Sequence, residues 1–335
     1  MNDATGERPQ VSILVLNHNG GPLLERCIHS LLKTEYSSFE VVLVDNNSND
    51  GSVEKAVELN PELVVVRNPT NLGYSSAYNR AARKCAGSFL VFLNNDTEVN
   101  SSWLGRLVEF ALHHHASILQ PKILFLRDKR TVNSAGNDIH VAGFGLCRGL
   151  GDPDTAPYNT SREIGYASGA CLFVAKNVFE KLGGFDENLM TYNEDTDFGW
   201  RARILGISSY YAPDSVIYHA GSATFTDIKT KLAFLDRSRL IMLLKNYSAL
   251  TLLRISPFLI LVELAVIAHS ILYGWFRLKI RSYSDVLRSL RLVRAARESI
   301  QGARSVPDQL VMRTFTLNMK HIMLANWQAS ANALS

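Results

Sequence analysis

The sequence contains few cysteines and none of the spacings that would join them into a disulfide framework or a metal site. Its four cysteines are scattered, with no CxxC pair and no histidine at metal-site spacing: Cys27, Cys85, Cys147 and Cys171. Cys85 falls in a helical pattern and Cys171 in an apolar strand pattern, so we expect both to be small core residues. This usage favours a reducing, cytoplasmic setting.

Two further absences narrow the class of protein. The first ten residues are polar and lack the apolar segment of a secretory signal, so we expect the chain to stay in the cytoplasm. The 35 Lys and Arg residues barely exceed the 31 Asp and Glu residues, and this balance gives no reason to expect a nucleic-acid partner. No internal repeat is present, and 335 residues suffice for one large α/β domain with a smaller appendage.

Apolar runs alternate with helical patterns through the first hundred residues. The strand-like runs are Val11–Leu16, Phe39–Val44, Leu63–Val66 and Phe89–Leu93. Helical patterns separate them, so we predict an α/β fold with a mostly parallel sheet and helices on both faces. The carboxyl ends of such strands collect ligands, and here they carry Asn17, Asp45 and Asp96.

The pattern loosens over residues 131–165, which are rich in Gly, Asn, Asp and Ser and predict a long hairpin or loop over the site. Regularity then returns. The later patterns predict a helix at Glu194–Leu205 and strands at Ala170–Val174, Ile207–Tyr211 and Val216–His219. The last of these strands ends on an imidazole.

Residues 227–335 predict a helical region that contacts a membrane. Residues 255–276 are largely apolar and, at about 1.5 Å per residue, long enough to span a bilayer. Glu263 and His269 interrupt them, so an interfacial, re-entrant or packed helix is an equal alternative. A basic helix is predicted over residues 277–304, with a face that suits anionic headgroups: Arg288, Arg291, Arg294 and Arg297. The alternative is a helical appendage packed on the catalytic domain, with a homodimer interface.

A series of short motifs runs along residues 11–226. They are Val11–Asn19, Val44–Ser48, Asn71-Leu72-Gly73 with Asn79, Asn94-Asn95-Asp96, Gly183–Glu187, Glu194-Asp195 with Arg201, and His219. In this order they resemble the family 2 glycosyltransferases, inverting enzymes of the GT-A fold, and particularly their rhamnosyltransferase-like branch. The resemblance implies a Rossmann-like GT-A domain at residues 11–226 and leaves residues 227–335 uncovered. Residues 1–10, which are polar, are expected to form a tail before this domain.

The resemblance implies a nucleotide-sugar site. Asp45 matches a carboxylate that receives the base and ribose of the donor, and a turn residue is the alternative. Asn94 replaces the first Asp of the family's DxD motif, which lowers the negative charge of the site. The residues assigned to the donor are Asn17, Asn19, Asp45, Asn71, Gly73, Asn79, Asn94 and Asn95.

The resemblance also implies a metal site and a general base. Asp96 matches the metal-binding position and His219 a further ligand, for Mg²⁺ or Mn²⁺; plain turn chemistry and a structural histidine are the alternatives. Asp195 matches the base, and Glu194 orients the acceptor or raises the pKa of the base by like-charge repulsion. The residues assigned to the acceptor are Phe185, Asp186, Glu187, Trp200 and Arg201.

These expectations describe a metal-dependent, inverting glycosyltransferase at the cytoplasmic face of a membrane. Its donor would be dTDP-rhamnose or another dTDP- or UDP-sugar, and its acceptor a saccharide or lipid-linked saccharide of cell-surface glycan assembly. A catalytically silent nucleotide-sugar-binding or scaffolding protein is an alternative, favoured only by Asn94. A nucleotidyltransferase is another, but it would show a basic Gly-rich loop, and Asn17–Pro22 contains no Lys or Arg.

Overall fold

A computed structural model describes residues 8–189, 191–221 and 227–318. Three expectations lie partly or wholly outside these residues: the beginning of the polar tail, the domain boundary at residue 226, and the end of the helical region after residue 318. The boundary therefore stays a prediction.

The first part of the chain forms a parallel sheet. Its strands are β1 (Val11–Asn17), β2 (Phe39–Asp45), β3 (Val64–Arg67) and β4 (Phe89–Asn94). The pairs β1–β2, β2–β3 and β1–β4 are all parallel. The connecting helices are α1 (Gly21–Leu31), α2 (Ser52–Leu59) and α3 (Gly73–Ala82). The apolar runs are buried on both faces of the sheet, as expected of parallel strands, and the predicted α/β class is confirmed.

The middle of the chain extends this sheet with mixed directions. Its elements are β5 (Thr97–Val99), α4 (Trp103–His114), β6 (Ile118–Phe125), β7 (Val132–Ser134), β8 (Asn137–His140), β9 (Gly145–Cys147), β10 (Arg162–Ile164), β11 (Cys171–Ala175), α5 (Lys176–Lys181), α6 (Glu194–Ile204) and β12 (Ser209–His219). Strand β11 runs antiparallel between β4 and β6, and β12 lies parallel to β6. The sheet therefore places the end of β12 near the strand ends of the first half.

Two expectations about this region are corrected. The strands predicted at Ile207–Tyr211 and Val216–His219 are one strand, because β12 continues through a bulge between Ala212 and Val216 while it pairs with β6 on both sides. The single long hairpin or loop predicted over residues 131–165 instead contains four strands, β7, β8, β9 and β10. Strands β8 and β9 form a small second sheet.

The C-terminal part is helical and is closed by a short strand. Its elements are α7 (Ile228–Asn246), α8 (Ala249–Leu272), α9 (Phe276–Arg288), α10 (Leu290–Gly302), α11 (Asp308–Val311) and β13 (Phe315–Thr316), which pairs with β8. The basic helix predicted over residues 277–304 is two helices. They separate at Ser289, whose Oγ donates to the carbonyl of Asp285 at 2.9 Å and competes with the helical ladder.

The C-terminal helices share a hydrophobic core with the α/β part. Trp200 and Ile204 of α6 are buried together with Ile241, Met242 and Tyr247 at α7. Helix α7 therefore packs directly on the helix that begins with the predicted catalytic acids.

Candidate active site

Polar side chains gather at the carboxyl ends of β1, β2 and β4. The register pairs Asn17 at the end of β1 with Asp45 at the end of β2, and Leu16 with Asn94 on β4. Because the strands are parallel, these three predicted donor residues lie at one edge of the sheet.

Asn17 is fully buried and braces this edge through both ends of its amide. Its Nδ2 donates to Ser48 Oγ at 2.9 Å and to Ser52 Oγ at 3.0 Å, and its Oδ1 accepts from Asn95 Nδ2 at 2.8 Å. A Cβ on Gly20 would lie 2.3 Å from Asn17 Oδ1 and 2.4 Å from Asn95 Nδ2, so a larger residue at position 20 would displace this pair of side chains. The sequence analysis assigned no role to Gly20.

Asp45 is buried at the same edge and already has partners. Its Oδ1 accepts from the amide of Ser48 at 2.9 Å, and its Oδ2 accepts from Arg67 Nη1 at 3.1 Å. The Arg67 side chain is 56% exposed, so this corner presents a guanidinium to solvent beside the carboxylate. Sequence reasoning missed Arg67, because its position opposite Asp45 follows from the pairing of β3 with β2 and from no local pattern.

Asn46 holds the loop that precedes α3. Its Nδ2 donates to Asn71 Oδ1 at 2.7 Å, and its Oδ1 accepts from Leu72 N at 2.9 Å and from Asn68 Nδ2 at 3.1 Å. Asn71 Oδ1 also accepts from the amide of Gly73, whose φ is +73°. Asn71 and Gly73 therefore shape the loop beside the carboxyl ends of the strands. Asn46, to which the sequence analysis assigned no role, holds this loop through its side-chain amide.

The other two predicted donor residues differ in position. Asn19, exposed at the edge with φ +54°, accepts from the amide of Asn49 at 2.8 Å. Asn79 of α3 instead clamps a different turn: it donates to the carbonyl of Phe185 and accepts from its amide, both at 2.9 Å, and donates to Glu187 at 3.0 Å. We correct the assignment of Asn79 from donor ligand to support of this turn.

Two aromatic residues assigned to the acceptor lie in the core. Phe185 is 2% exposed and packs against Phe92 with ring centroids 4.9 Å apart. Trp200 is 0% exposed and packs edge-on against Tyr247 at 4.7 Å. Neither ring reaches solvent, so neither can stack on an acceptor, and we correct both to packing residues.

Most of the charged residues assigned to the acceptor form ion pairs and hydrogen bonds within the protein. Arg201 Nε donates to Asp197 Oδ2 at 2.7 Å, and its guanidinium donates to two carbonyls of the preceding turn. Asp186 accepts from the buried ammonium of Lys245. Arg201 and Asp186 therefore tie α6 and α7 to the turn, and we correct them to structural residues. Glu187 is exposed and its acceptor role stays a prediction.

Asp96 and His219 meet where β5 pairs with β12. Thr97 lies opposite His219, and the amide of Ala220 donates to the carbonyl of Asp96 at 2.9 Å. His219 Nε2 lies 3.2 Å from Asp96 Oδ1 without the alignment of a hydrogen bond, so this buried oxygen has no hydrogen-bond partner among the described residues. Asn133 Oδ1 lies 3.2 Å from His219 Nδ1 and orients the ring.

This pair suits a divalent cation in chemistry and spacing. A carboxylate oxygen is a preferred ligand of Mg²⁺ and Mn²⁺, and imidazole is a common metal ligand. Two cis ligands of an octahedral ion at about 2.1 Å lie about 3 Å apart, close to the observed 3.2 Å. Within the part of the chain that the structure describes, no group of three or more His, Cys, Asp or Glu side chains could hold a metal. A bound diphosphate and water would supply further ligands.

Glu194 and Asp195 begin helix α6 after two residues in the left-handed region. Tyr192 and Asn193 have φ of +64° and +66°, a conformation that costs a non-glycine residue about 1–3 kcal/mol. Asn193 Nδ2 donates to the carbonyl of Leu235 on α7 at 3.0 Å. Helix α7 thus holds the turn that presents both carboxylates.

Asp195 is half-buried, and each of its oxygens accepts a backbone hydrogen bond. Oδ2 accepts from Gly169 N at 2.8 Å and Oδ1 from Thr196 N at 2.7 Å. Burial raises the pKa of Asp195, and the bonds from these amides partly offset that rise. The carbonyl of Ala170, next to Gly169, accepts from the amide of Asn94 at 3.1 Å. The candidate base is therefore hydrogen-bonded to a segment that lies next to the end of β4.

Glu194 is more deeply buried than Asp195 and has fewer hydrogen-bond partners. It is 8% exposed, and burial, with a smaller contribution from the charge of Asp195, raises its pKa to about 8. Its Oε2 is buried and lacks a hydrogen-bond partner in the described ranges. Burial thus favours the protonated form of Glu194, whereas the two backbone amides that donate to Asp195 favour its ionised form, the form that can accept a proton.

Comparison with known proteins identifies the family. The sequence matches the family described as glycosyl transferase family 2 over residues 12–183, half of the chain.

The chain is a family 2 glycosyltransferase.

This glycosyltransferase is similar to named bacterial proteins. It is 33% identical over 226 residues to the O-antigen biosynthesis protein RfbC of Myxococcus xanthus, covering 64% of this chain but only 18% of RfbC. It is 29% identical over 260 residues to the N-acetylglucosaminyl-diphospho-decaprenol L-rhamnosyltransferase of Mycobacterium tuberculosis, covering 70% of this chain and 84% of that protein. The likeness to the rhamnosyltransferase-like branch is thereby confirmed.

Solved structures share the fold of this glycosyltransferase. Mannosyltransferase PcManGT from Pyrobaculum calidifontis, in complex with GDP-Man and Mn²⁺, matches with a TM-score of 0.54 and 18% identity over 98% of this chain and 81% of that chain. GalNAc-T7 with UDP, GalNAc and Mn²⁺ matches with a TM-score of 0.55 and 18% identity over 70% of this chain and 48% of that chain. The predicted GT-A fold is confirmed.

Proposed function

We propose that the protein is a metal-dependent, inverting glycosyltransferase that moves a sugar from a nucleotide diphosphate to a saccharide hydroxyl. One arrangement carries the proposal. Asp195 is bonded to Gly169, the neighbouring Ala170 is bonded to Asn94, and the unpartnered oxygen of Asp96 follows two residues after Asn94. A proton acceptor and a cation site thus adjoin one strand end.

This arrangement supports a single displacement. Asp195 takes the proton of the acceptor hydroxyl while its oxygen bonds to the anomeric carbon, and the bond from that carbon to the donor's phosphate oxygen breaks. The amides of Gly169 and Thr196 hold the carboxylate in place. Asp96 and His219 would hold Mg²⁺ or Mn²⁺, which offsets negative charge on the departing diphosphate. Attack opposite the leaving group inverts the anomeric centre.

We propose a dTDP-sugar as donor, with dTDP-rhamnose the first to test and UDP-sugars next. The relative named as an L-rhamnosyltransferase supports this sugar. The Asp45–Arg67 pair offers an acceptor for an imide N–H or ribose hydroxyl and a guanidinium for a phosphate oxygen. Asn19 and the Asn94–Asn95 amides complete the proposed donor edge.

We propose that the acceptor is a lipid-linked saccharide and that the protein docks on the cytoplasmic face of a membrane. Among the described residues, α8 is the one helix long and apolar enough to cross a bilayer. Its outer face is unusually apolar, with side chains that are 56–80% exposed: Leu253, Leu261, Leu264 and Leu272. Such a face suits the acyl boundary of a membrane.

Docking on the surface fits this helix better than spanning. The inner side of α8 contacts the body through Leu252, Leu259 and the buried Val262, while most of the helix is not buried. Glu263 also points inward, where it pairs with Lys279 and Arg239. The charge that argued against a lipid-facing helix is therefore neutralised on the protein side, and the outer face stays apolar.

A screen of nucleotide sugars tests the proposed reaction. Full-length protein is incubated with dTDP- and UDP-sugars and lipid-linked acceptors, with and without Mn²⁺, and release of nucleotide diphosphate and glycosylated product is followed by mass spectrometry. Asp195→Asn keeps the shape of the side chain but removes its basicity, so kcat should fall by about 10²–10⁴ while donor affinity is kept. Normal transfer by Asp195→Asn together with loss in Glu194→Gln would exchange their roles. Donor binding without turnover on any acceptor would indicate a binding protein.

A further inference from the structure

Tyr74 lies at the beginning of α3, directly after the loop beside the carboxyl ends of the strands. Its half-buried ring packs edge-on against Tyr78 and Phe185, with ring centroids 4.6 Å and 5.4 Å apart. Its hydroxyl donates to the carbonyl of Gly169 at 3.0 Å. The side chain therefore joins the loop that precedes α3 to the segment that holds the candidate base.

Gly169 contacts Tyr74 and Asp195 through different backbone groups. Its carbonyl accepts from Tyr74, and its amide donates to Asp195 Oδ2 at 2.8 Å. Because glycine has no Cβ to restrict its backbone, a hydrogen bond that fixes its carbonyl also limits the directions that its amide can take. A Cβ at Gly169 would lie 3.1 Å from Tyr74 Oη and would crowd this hydroxyl.

The residues on either side of Gly169 are held by the sheet. The amide of Ser168 donates to Oε1 of the fully buried Gln120 at 2.9 Å, and the carbonyl of Ala170 accepts from the amide of Asn94 at 3.1 Å. The Tyr74 hydroxyl acts between these two points, on Gly169 itself. It is thus the side-chain contact next to the amide that holds the carboxylate.

We propose that Tyr74 is a positioning residue for the candidate base: by holding the carbonyl of Gly169, its hydroxyl aims the Gly169 amide at Asp195 Oδ2. A donor bound beside the Asn71–Gly73 loop then lies against the same unit that fixes the base, because Tyr74 follows this loop directly. The catalytic meaning of this role rests on the proposed glycosyl transfer, whereas the positioning of the carboxylate can be measured without turnover.

The pKa of Asp195 reports the positioning. The hydrogen bond from the Gly169 amide lowers that pKa, so a poorly aimed amide should let it rise. Four other acids face Asp195, and burial raises the pKa of each: Glu194, Tyr74, Cys147 and Tyr166. Of these four, Glu194 titrates near neutral pH, so the measurement uses a Glu194→Gln background, in which Asp195 titrates without this partner.

In that background, the carboxyl carbon shift of Asp195 is followed through a pH titration of isotopically labelled full-length protein, and Asp195→Asn gives the assignment. We expect Tyr74→Phe, which removes the hydroxyl and keeps the ring, to raise the pKa of Asp195. Gly169→Ala should raise it too, because the added Cβ crowds the same hydroxyl. Tyr211→Phe is the matched control: it removes a buried hydroxyl that donates to the carbonyl of Tyr158 at 2.9 Å, and it should leave this pKa unchanged.

Turnover tests what the positioning does. With Glu194 retained, Tyr74→Phe should lower kcat by about two- to tenfold and move the acid limb of the kcat profile to higher pH. The KM for the donor should stay the same, because the hydroxyl faces Gly169 and not the strand ends. A hydroxyl with only a structural role would lower thermal stability and leave kcat and its pH profile as they are.

The remaining outcomes separate this inference from the proposed function. An unchanged pKa of Asp195 in Tyr74→Phe, or an equal rise in Tyr211→Phe, would overturn the positioning role; should Tyr74→Phe fail to fold, Gly169→Ala decides in its place. If the pKa rises but the nucleotide-sugar screen finds no transfer, the proposed function fails and the positioning stands. If transfer occurs and Tyr74→Phe keeps the kcat and pH profile of the wild type, the inference alone fails.

Discussion

At the residue scale, Glu194 binds its proton more tightly in the folded protein than in the unfolded chain, because burial raises its pKa from 4.5 to about 8. Between these two values the folded state carries more bound protons, so this group makes stability fall as the pH rises. Glu194→Gln removes the titration. We therefore expect the free energy of unfolding of the variant, relative to wild type, to increase from pH 5 to pH 8, as measured by urea denaturation.

The control for this experiment is Glu58→Gln, which removes a carboxylate from the exposed face of α2. Its effect on stability should be small at both pH values, because the side chain is exposed and away from the core. A Glu194→Gln difference that stays constant between pH 5 and pH 8 would show that Glu194 is ionised throughout.

Metal dependence can be tested at Asp96, whose Oδ1 has no hydrogen-bond partner among the described residues. EDTA should abolish transfer, and Mn²⁺ or Mg²⁺ should restore it. Asp96→Asn and His219→Ala each remove a ligand, so we expect activity to fall by about 10²-fold or more and Mn²⁺ binding in the presence of dTDP, followed by electron paramagnetic resonance, to weaken. His29→Ala, on the outside of α1, should change neither readout. Full activity in excess chelator would refute the metal assignment.

At the element scale, α6 is a buried helix whose charges are neutralised by α7. Lys245 of α7 is 0% exposed and forms ion pairs with Asp186 and, at 2.9 Å, with Asp197. Burial alone would raise the pKa of Asp197, but the charges of Lys245 and Arg201 lower it. The helix that begins with Glu194 and Asp195 is therefore held in place by a buried ion cluster.

Lys245→Met tests this cluster. The substitution leaves two carboxylates without their shared ammonium, so we expect the free energy of unfolding to fall by about 3–5 kcal/mol at neutral pH, measured by chemical denaturation. The loss should narrow at acid pH, where the unfolded chain takes up protons on its aspartates. Lys33→Met removes an exposed ammonium and should cost little. Equal stability of the two variants would contradict the role of Lys245.

The sequence predicted the parallel half of the sheet because its strands and helices alternate locally. It predicted two strands, Ile207–Tyr211 and Val216–His219, from two separate apolar runs, whereas pairing with β6 carries one strand across a bulge between them. Trp200 and Arg201 were assigned to the acceptor because they follow the acidic motif closely. Helix α6 is enclosed by neighbours on all sides, and a helix without an exposed face has no periodicity from which inward positions can be read.

The Asp96–His219 pair shows a second limit of prediction from sequence. Asp96 and His219 were matched through resemblance, but their contact depends on the pairing of β5 with β12 across more than a hundred residues. Arg67, Gly20 and Gly169 were missed for the same reason, since each acts on a partner that only the folded sheet or its loops bring near.

At the scale of the whole molecule, the outer face of α8 should decide membrane binding. Leu261→Gln/Leu264→Gln/Leu272→Gln removes three exposed leucines, each worth about 1.5–3 kcal/mol when fully buried in lipid. We expect co-sedimentation with vesicles to be lost while the fold is kept. Leu32→Gln/Leu59→Gln replaces exposed leucines elsewhere and serves as the control. Unchanged vesicle binding in the triple variant would refute docking through α8.

The arginines expected to contact headgroups divide into two groups. Arg297 donates to the carbonyl of Tyr247 at 2.7 Å and so closes the end of α7, which corrects its assignment to a lipid-facing surface. Arg288, Arg291 and Arg294 are exposed and stay candidates for anionic lipid. Removal of the chain from Ile255 onward would also expose the core that α8, α9 and α10 cover. Substitutions on the protein surface therefore test membrane binding better than truncation does.

The uncovered face of α8 also bears on how the purified protein behaves in solution. Without lipid or detergent, two copies can remove these leucines from water only by placing the faces against each other. A dimer observed on gel filtration in plain buffer would then form because no bilayer covers these leucines. It would not show that the functional protein is a dimer. Micelles should dissociate such a dimer, and crystals grown without detergent should contain α8 in a contact between molecules.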